Sequence, residues 1–273
     1  MRDLSRRDAL RITAVAGVSA AVGGGWMAEL IREARLHRVS ETRTRMGTLV
    51  TITTVHPDGD EARRMVSSAF AEMERLEAIL SRHSETSSLG RLNREGRLTA
   101  PPVELRDVLL AAAGYGRASG GAFDVTVAPL LDLYERGAEG GDPLPSRHEI
   151  TSALALVDFE AVHVFPEEIR FARPGMRVTL DGVGKGYIVD RTIDILTGLG
   201  SDRVLVDAGG DMATAGAGSV AEPWTIAIQD PHGASATAGL VRLAGDCIAT
   251  SGDYMRTFTE DRVAHHILDP RTG

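Results

Sequence analysis

The sequence predicts an α+β fold, with mainly antiparallel sheets packed with helices rather than a doubly wound parallel sheet. Three observations carry that expectation. Helical periodicity dominates the first half of the chain, short strand-like runs bounded by Gly, Pro and Asp dominate the second, and no internal repeat runs through either.

Taken in order, residues 26–45 read as a linker, and their Arg-rich, polar stretch 30–45 as linker or surface helix. "GTLVTITTV" (Gly47–Val55) is rich in β-branched residues and predicts a strand. From Asp60 to Leu80, Ala62, Met65, Val66, Ala69, Phe70, Met73, Leu76, Ile79 and Leu80 recur at three- and four-residue spacing, which predicts an amphipathic helix. "LSRHSETSSLGRLNREG" reads as a polar loop, and a second helix runs from about Val103 to Arg117. "SRHE" (Ser146–Glu149) has the form of a capping box opening a short third helix. "VHVF", "IRFA" and "RVTL" read as short strands. A helix then begins near Lys185 and ends at Gly200. The runs "RVLVDAGG", "WTIAIQD", "GLVRLAG", "CIATSGDY" and "VAHHILDP" complete the strand-rich half. Residues 46–273 are expected to form a single domain.

With 273 residues, 43% of them hydrophobic, the chain has ample material for a core. Its net charge of −8 and lack of a basic stripe argue against a nucleic-acid partner. The lone cysteine, Cys247, excludes an internal disulfide and a Cys-based metal cluster. At the N-terminus, "SRRDALRITAVAGVSAAVGGG" pairs Arg6 and Arg7 ahead of a modest apolar run, the pattern of a twin-arginine export signal over residues 1–25. The run is short for a membrane span, which needs about 20 apolar residues. The expected product is exported, in the periplasm or on the outer face of the cytoplasmic membrane, with membrane association only through an uncleaved signal.

Lys185, in "DGVGKGYIVD", is the chain's one lysine among 30 basic residues. It sits where a predicted strand passes through a Gly-spaced turn (Asp181, Gly182, Gly184, Gly186) into a helix. Glycines there let backbone N–H groups approach a ligand, and a helix N-terminus favours an anion. An ammonium is a compact charge with three rotatable donors, unlike arginine's rigid fork. The position therefore reads either as a phosphate clamp or as a lysine that survived by chance on the surface. Asn93, the one asparagine, reads equally as a turn or cap residue or as a ligand contact. "VDAGGDM" ends a strand in Gly209–Gly210 between Asp207 and Asp211, and paired glycines admit a phosphate or flat ligand to the main chain. "ATSGDYMR" places Thr250, Ser251 and Gly252 at a strand end, followed by Asp253 and Arg256. His265 and His266 point to opposite faces if they lie on a strand. As a pair they read as metal ligands or as structural histidines, without the helical spacing of a zinc site.

"LSRHSETSSLGRLN", "GGAFDVTVAPL", "DGVGKGYIVD", "VLVDAGGDM", "IATSGDYMR" and "HHILDPRTG" together resemble, in order, the signature series of the ApbE family of flavin transferases. "MGT" (Met46–Thr48) fits that family's opening strand. The resemblance implies an ApbE-like, T-fold-related architecture. It also implies a Mg²⁺-dependent reaction in which the FMN moiety of FAD passes to a Thr or Ser hydroxyl of a partner flavoprotein, releasing AMP. The implied partners are subunits of respiratory complexes or small FMN-binding domains. The same site could instead hydrolyse FAD to FMN and AMP, or hold FAD without chemistry. By family position His266 is the implied base, with Lys185 and Asp181 as further catalytic groups. Met46, Ser88, Asn93, Phe123, Asp124, Thr126, Lys185, Gly209, Gly210, Asp211, Thr250, Ser251, Gly252, Asp253, Arg256 and His265 fall on the implied FAD-binding stretches. An imidazole, with its ordinary pKa of about 6.5, suits proton transfer. Family members continue past the "DPRTG" turn to an Asp and a Thr that bind the metal. The chain is therefore expected to be C-terminally short, with the Gly184 backbone carbonyl as its remaining implied metal ligand.

Overall fold

The computed structural model describes residues 36–140, 144–201, 203–216, 223–230, 237–252, 257–259 and 263–273. The expected export signal therefore lies outside the described residues, as do Asp253, Tyr254 and Arg256.

The centre is a five-stranded antiparallel sheet in the order β1-β2-β6-β7-β10, built from β1 (His37–Arg45), β2 (Thr48–His56), β6 (Arg203–Ala208), β7 (Asp211–Ala215) and β10 (Cys247–Ile248). Helix α1 (Gly59–Leu80) is capped by Asp58, whose carboxylate accepts from the Asp60 and Glu61 N–H groups. It buries Ala62, Met65, Val66, Ala69, Phe70, Met73, Leu76 and Leu80, eight of the nine apolar positions expected from the sequence. These meet Val50, Ile52, Val204, Val206 and Ala208 of the sheet in one core. Each buried Val, Leu, Ile, Met or Phe among them contributes about 1.5–3 kcal/mol. Helix α6 (Gly184–Gly198) packs into the same core through Ile188, Val189 and Leu196.

Around this centre lie α2 (Ser88–Glu95), β3 (Arg97–Thr99), α3 (Val103–Ala118), α4 (Ala128–Gly140), α5 (Arg147–Leu154), β4 (Val162–Val164) and β5 (Glu168–Phe171). Strands β3, β5 and β4 form a second antiparallel sheet, and β8 (Trp224–Gln229) pairs with β9 (Thr237–Leu243) as a third. The capping box at Ser146 and Glu149 is present at the start of α5.

Four local expectations are corrected. Residues 37–45, expected within a linker or surface helix, form edge strand β1, because β2 supplies a complete row of partners. Its half-buried side carries Val39, Glu41, Arg43 and Arg45, and Arg43 lies over the Phe70 ring at 4.4 Å, so a polar strand still covers the core. The polar loop after α1 contains helix α2, with Ser87 as N-cap and Gly96 in the left-handed region closing it. "RVTL" is not a strand. Its Val178 backbone pairs instead with the Asn93 side chain, which accepts from the Val178 N–H and donates to its carbonyl, both at 2.8 Å. The expected strand at "VAHHILDP" is reduced to one isolated bridge between Thr257 and His265.

Candidate functional site

Helix α6 begins without a side-chain cap, since Val183 at its N-cap position carries no polar group. The turn before it is tight: the Leu180 carbonyl accepts from both the Val183 and Gly184 N–H groups, at 3.0 and 2.6 Å. Lys185 follows in the first helical turn, where N–H groups have no intrahelical partner. Its Nζ reaches 3.0 Å from Asp211 Oδ2 and donates to the Ala208 carbonyl at 3.4 Å. The ammonium is thus held against the β6–β7 turn and remains one-third exposed.

That turn is Gly209–Gly210, with φ of +65° and +97°. Asp207 at the end of β6 accepts from the Gly210 N–H at 3.2 Å and sets the turn's shape. A Cβ at Gly209 would press into the Thr48 side chain, so the start of β2 touches this same corner. Just before Thr48, Met46 adopts φ +52° while its N–H donates to Glu77 of α1 at 3.0 Å. From the other side the Phe123 ring lies against Gly182. The three segments "MGT", "DGVGKG" and "DAGGD", far apart in sequence, therefore form one corner with a one-third-exposed lysine, a helix N-terminus and a glycine turn open at Gly210. That combination suits a phosphate group approaching the main chain.

Arg82 lies in the "LSRHSETSSLGRLN" stretch, where nothing local marks it as a site residue. Its side chain is only 8% exposed and donates to Asp181 (2.8 Å), Asp132 (3.3 Å) and Glu135 (2.8 Å). Burial works against its charge, but the hydrogen bond to Glu135 and the charge of Asp181 outweigh burial and hold its pKa above the ordinary range. Its partners lie 50 to 99 residues away, so no local pattern announces it.

Other expected site residues are placed differently. Asp124 is buried and accepts from the Thr126 N–H (2.7 Å), the Thr126 hydroxyl (2.5 Å) and the Phe159 N–H (3.0 Å), while the Thr126 hydroxyl accepts from the Asp158 N–H at 2.6 Å. The Asn93 amide is occupied with Val178. These three side chains hold backbone segments together. Ser88 lies part-buried in the first turn of α2, beside its cap. Thr250 and Ser251 are exposed and Gly252 part-buried, after β10. His265 bridges Thr257 and accepts from the Ile267 N–H at 3.3 Å, and His266 follows it, part-buried. This C-terminal stretch packs onto α4 and α5 through Phe258, which stacks on Tyr134, and through Leu268. Arg271 reaches the Gly121 turn, two residues from Phe123. Tyr187, beside Lys185, packs on the core.

Two concavities of about 240 and 480 Å³ share Arg117, Phe159 and Glu160, and neither is lined by Lys185, Asp211 or Gly209. Convergent donors rather than enclosed volume mark an anion site, so the corner at Lys185 is the better candidate.

A model of the ApbE family matches residues 46–273. The chain belongs to the ApbE family. The curated relative from Treponema pallidum, named FAD:protein FMN transferase, is 30% identical over 262 residues, covering 88% of this chain and 72% of that protein. The one of the same name from Salmonella typhimurium is 30% identical over 246 residues, covering 86% and 70%. Among solved structures, the ApbE protein of Thermotoga maritima matches with a TM-score of 0.75 at 28% identity, over 86% of this chain and 77% of that one. Apo flavinyl transferase ApbE of Pseudomonas stutzeri matches at 0.74 and 29%, over 87% and 75%. The α+β expectation, helices packed with antiparallel sheets in an ApbE-like arrangement, is borne out. In this ApbE chain four of the six motifs that carried the resemblance meet around Asp181–Lys185: Arg82, Phe123 and Asp211 each reach that turn.

Proposed function

We propose that this chain transfers the FMN moiety of FAD to a Thr or Ser hydroxyl of a partner flavoprotein, releasing AMP, in a Mg²⁺-dependent reaction. Family membership supports the reaction class. The single structural observation behind it is the corner where Lys185, paired with Asp211, faces the Gly209–Gly210 turn at the N-terminus of α6.

The reaction forms a bond from the acceptor hydroxyl oxygen to the FMN-side phosphorus of FAD and breaks that phosphorus's bond to the oxygen that departs with AMP. Charge on the diphosphate must be neutralised as this happens. Lys185 supplies a positive charge with rotatable donors, and Asp211 and the Ala208 carbonyl keep it aimed. Beyond the Val183 and Gly184 N–H groups, which Leu180 takes, the first turn of α6 offers the Lys185 and Gly186 N–H groups to the same oxygens. Gly210 lets the phosphates approach the backbone, since nothing stands within 4 Å of where its Cβ would be, while that side of Gly209 is taken by Thr48. His266, by its motif position, takes the hydroxyl proton.

The residues present fit a diphosphate well and a metal ion only in part. Among the described residues no three His, Cys, Asp or Glu side chains converge on one point. Magnesium ordinarily keeps water and phosphate ligands and takes few from protein, so the Gly184 carbonyl is the ligand this proposal assigns to the described chain. When bound, the ion would add positive charge at the diphosphate. We assign the chain to the exported side of the cytoplasmic membrane on the strength of the paired arginines Arg6 and Arg7.

The test is an acceptor assay. Protein is mixed with FAD, Mg²⁺ and a small FMN-binding domain, and the acceptor is read by intact mass and in-gel fluorescence. An FMN-sized mass gain, lost with EDTA and with His266→Ala, is the expected result. Free FMN and AMP without a mass gain would replace transfer by hydrolysis, and FAD bound unchanged would leave a binding protein.

A further inference from the structure

We propose that Arg82 is a positioning residue that sets the place of Lys185 from behind. This rests on the reading of Lys185 as the group that meets the diphosphate. Arg82 meets the corner at Asp181. Its Nε holds Asp181, the first residue of the turn into α6, while its terminal nitrogens hold Asp132 and Glu135, three residues apart on α4. Helix α4 is itself anchored by Leu130, Leu131 and Tyr134, all buried. Asp132 also pairs with Arg177, just upstream of the same turn. One guanidinium thus bolts the turn 181–184 to a buried helix.

The consequence for Lys185 follows from the chain's path. Ile188, Val189, Thr192 and Leu196 fix the body of α6 in the core, while Lys185 is part-buried one turn earlier, after the buried Gly184. Between Asp181 and Lys185 stand only Gly182, Val183 and Gly184, a segment with two glycines and no side-chain cap. The Arg82–Asp181 bond ties down the exposed start of that segment, next to the Leu180 carbonyl that closes the turn. A lysine in place of Arg82 would present its three donors from one compact nitrogen, whereas the planar fork meets the carboxylates from separate nitrogens in fixed directions. Loss of the charge would take the guanidinium away from Asp181 and Glu135 and leave Asp132 its pair with Arg177. The first helical turn is then expected to shift, carrying Nζ off Asp211.

Lys185 being the chain's one lysine makes the test direct. An amine-reactive reagent labels it and the N-terminus alone, and peptide mass separates the two. In Arg82→Gln and in Asp181→Ala, Lys185 is expected to label several-fold faster than in the wild type, with the circular dichroism spectrum kept. Asp181→Ala leaves Arg82 on α4, so it decides the matter if Arg82→Gln does not fold. In the acceptor assay both variants should lose kcat more than they raise KM, by up to about 10²-fold for a displacement near 1 Å. The loss from Arg82→Gln should also largely vanish in a Lys185→Arg background, a non-additivity that a remote structural residue does not show. Wild-type labelling rates in folded variants, or additive losses, would overturn the proposal. Faster labelling in a protein that transfers no FMN would leave Arg82's role standing and remove the functional reading instead.

Discussion

Lys185 Nζ stands 3.0 Å from Asp211 Oδ2, joining the first turn of α6 to the first residue of β7. The pair gathers a helix N-terminus and a glycine turn around one cation, and neither element could place that cation alone. Lys185→Arg keeps the charge but replaces a compact ammonium with a wide, planar fork. We expect it to lower FMN transfer by about 10²-fold, the scale for losing one aimed donor, with the melting temperature little changed. Single-turnover kinetics with labelled FAD would show it, and full activity in this variant would refute the assignment.

Gly209 combines φ +65° with close approach to Thr48. Alanine there carries about 1–2 kcal/mol of left-handed backbone cost and meets the Thr48 side chain as well. Gly209→Ala should therefore lower stability measurably in urea unfolding. Adding Thr48→Ala should restore part of it, because the hydroxyl and methyl nearest the new Cβ would be gone. No rescue would mean that backbone strain accounts for the whole cost.

Asn93 pairs through both ends of its amide with the Val178 backbone. Asn93→Ala leaves a part-buried N–H and carbonyl unsatisfied, at a cost of about 1–3 kcal/mol. Thermal and chemical denaturation should register this loss, while FAD affinity measured by flavin fluorescence stays close to wild type in the folded fraction. An affinity loss without a stability loss would restore Asn93 as a ligand contact.

Arg271 hydrogen-bonds the Asp269 carboxylate and holds its pKa down to about 2. A folded-state pKa below the ordinary value of about 3.9 means that this pair stabilises the fold above that ordinary value. Its contribution fades as pH falls from about 4 through 2. A carboxyl NMR titration should find Asp269 at the low end, and Arg271→Ala should raise it toward the ordinary range. An unshifted Asp269 in the wild type would contradict the paired geometry.

What the sequence carried on its own were the features written as local patterns. The apolar spacing of α1, the capping box of α5, the β-branched run of β2 and the glycines around Lys185 each owe their form to residues within a few positions. Their physics is short-ranged: side chains three and four apart share a helix face, and a Ser–Glu pair satisfies its own helix end. The ordered motif series likewise marked the family without knowledge of any contact. Edge strand β1 was hidden because its residues are polar, and its nine partners lie on β2. Helix α2 was hidden because eight residues with two buried leucines make too faint a period. Asn93, Asp124 and Thr126 stood out as motif positions, and only folding showed their side chains hydrogen-bonded to the Val178, Phe159 and Asp158 backbone. The junction of Lys185 with Asp211, and the grip of Arg82 on Asp181, were decided by tertiary structure alone. Those partners are brought together by the burial of α1 and α6 on the central sheet and of α4 beside it, an outcome of the whole core rather than of any one segment.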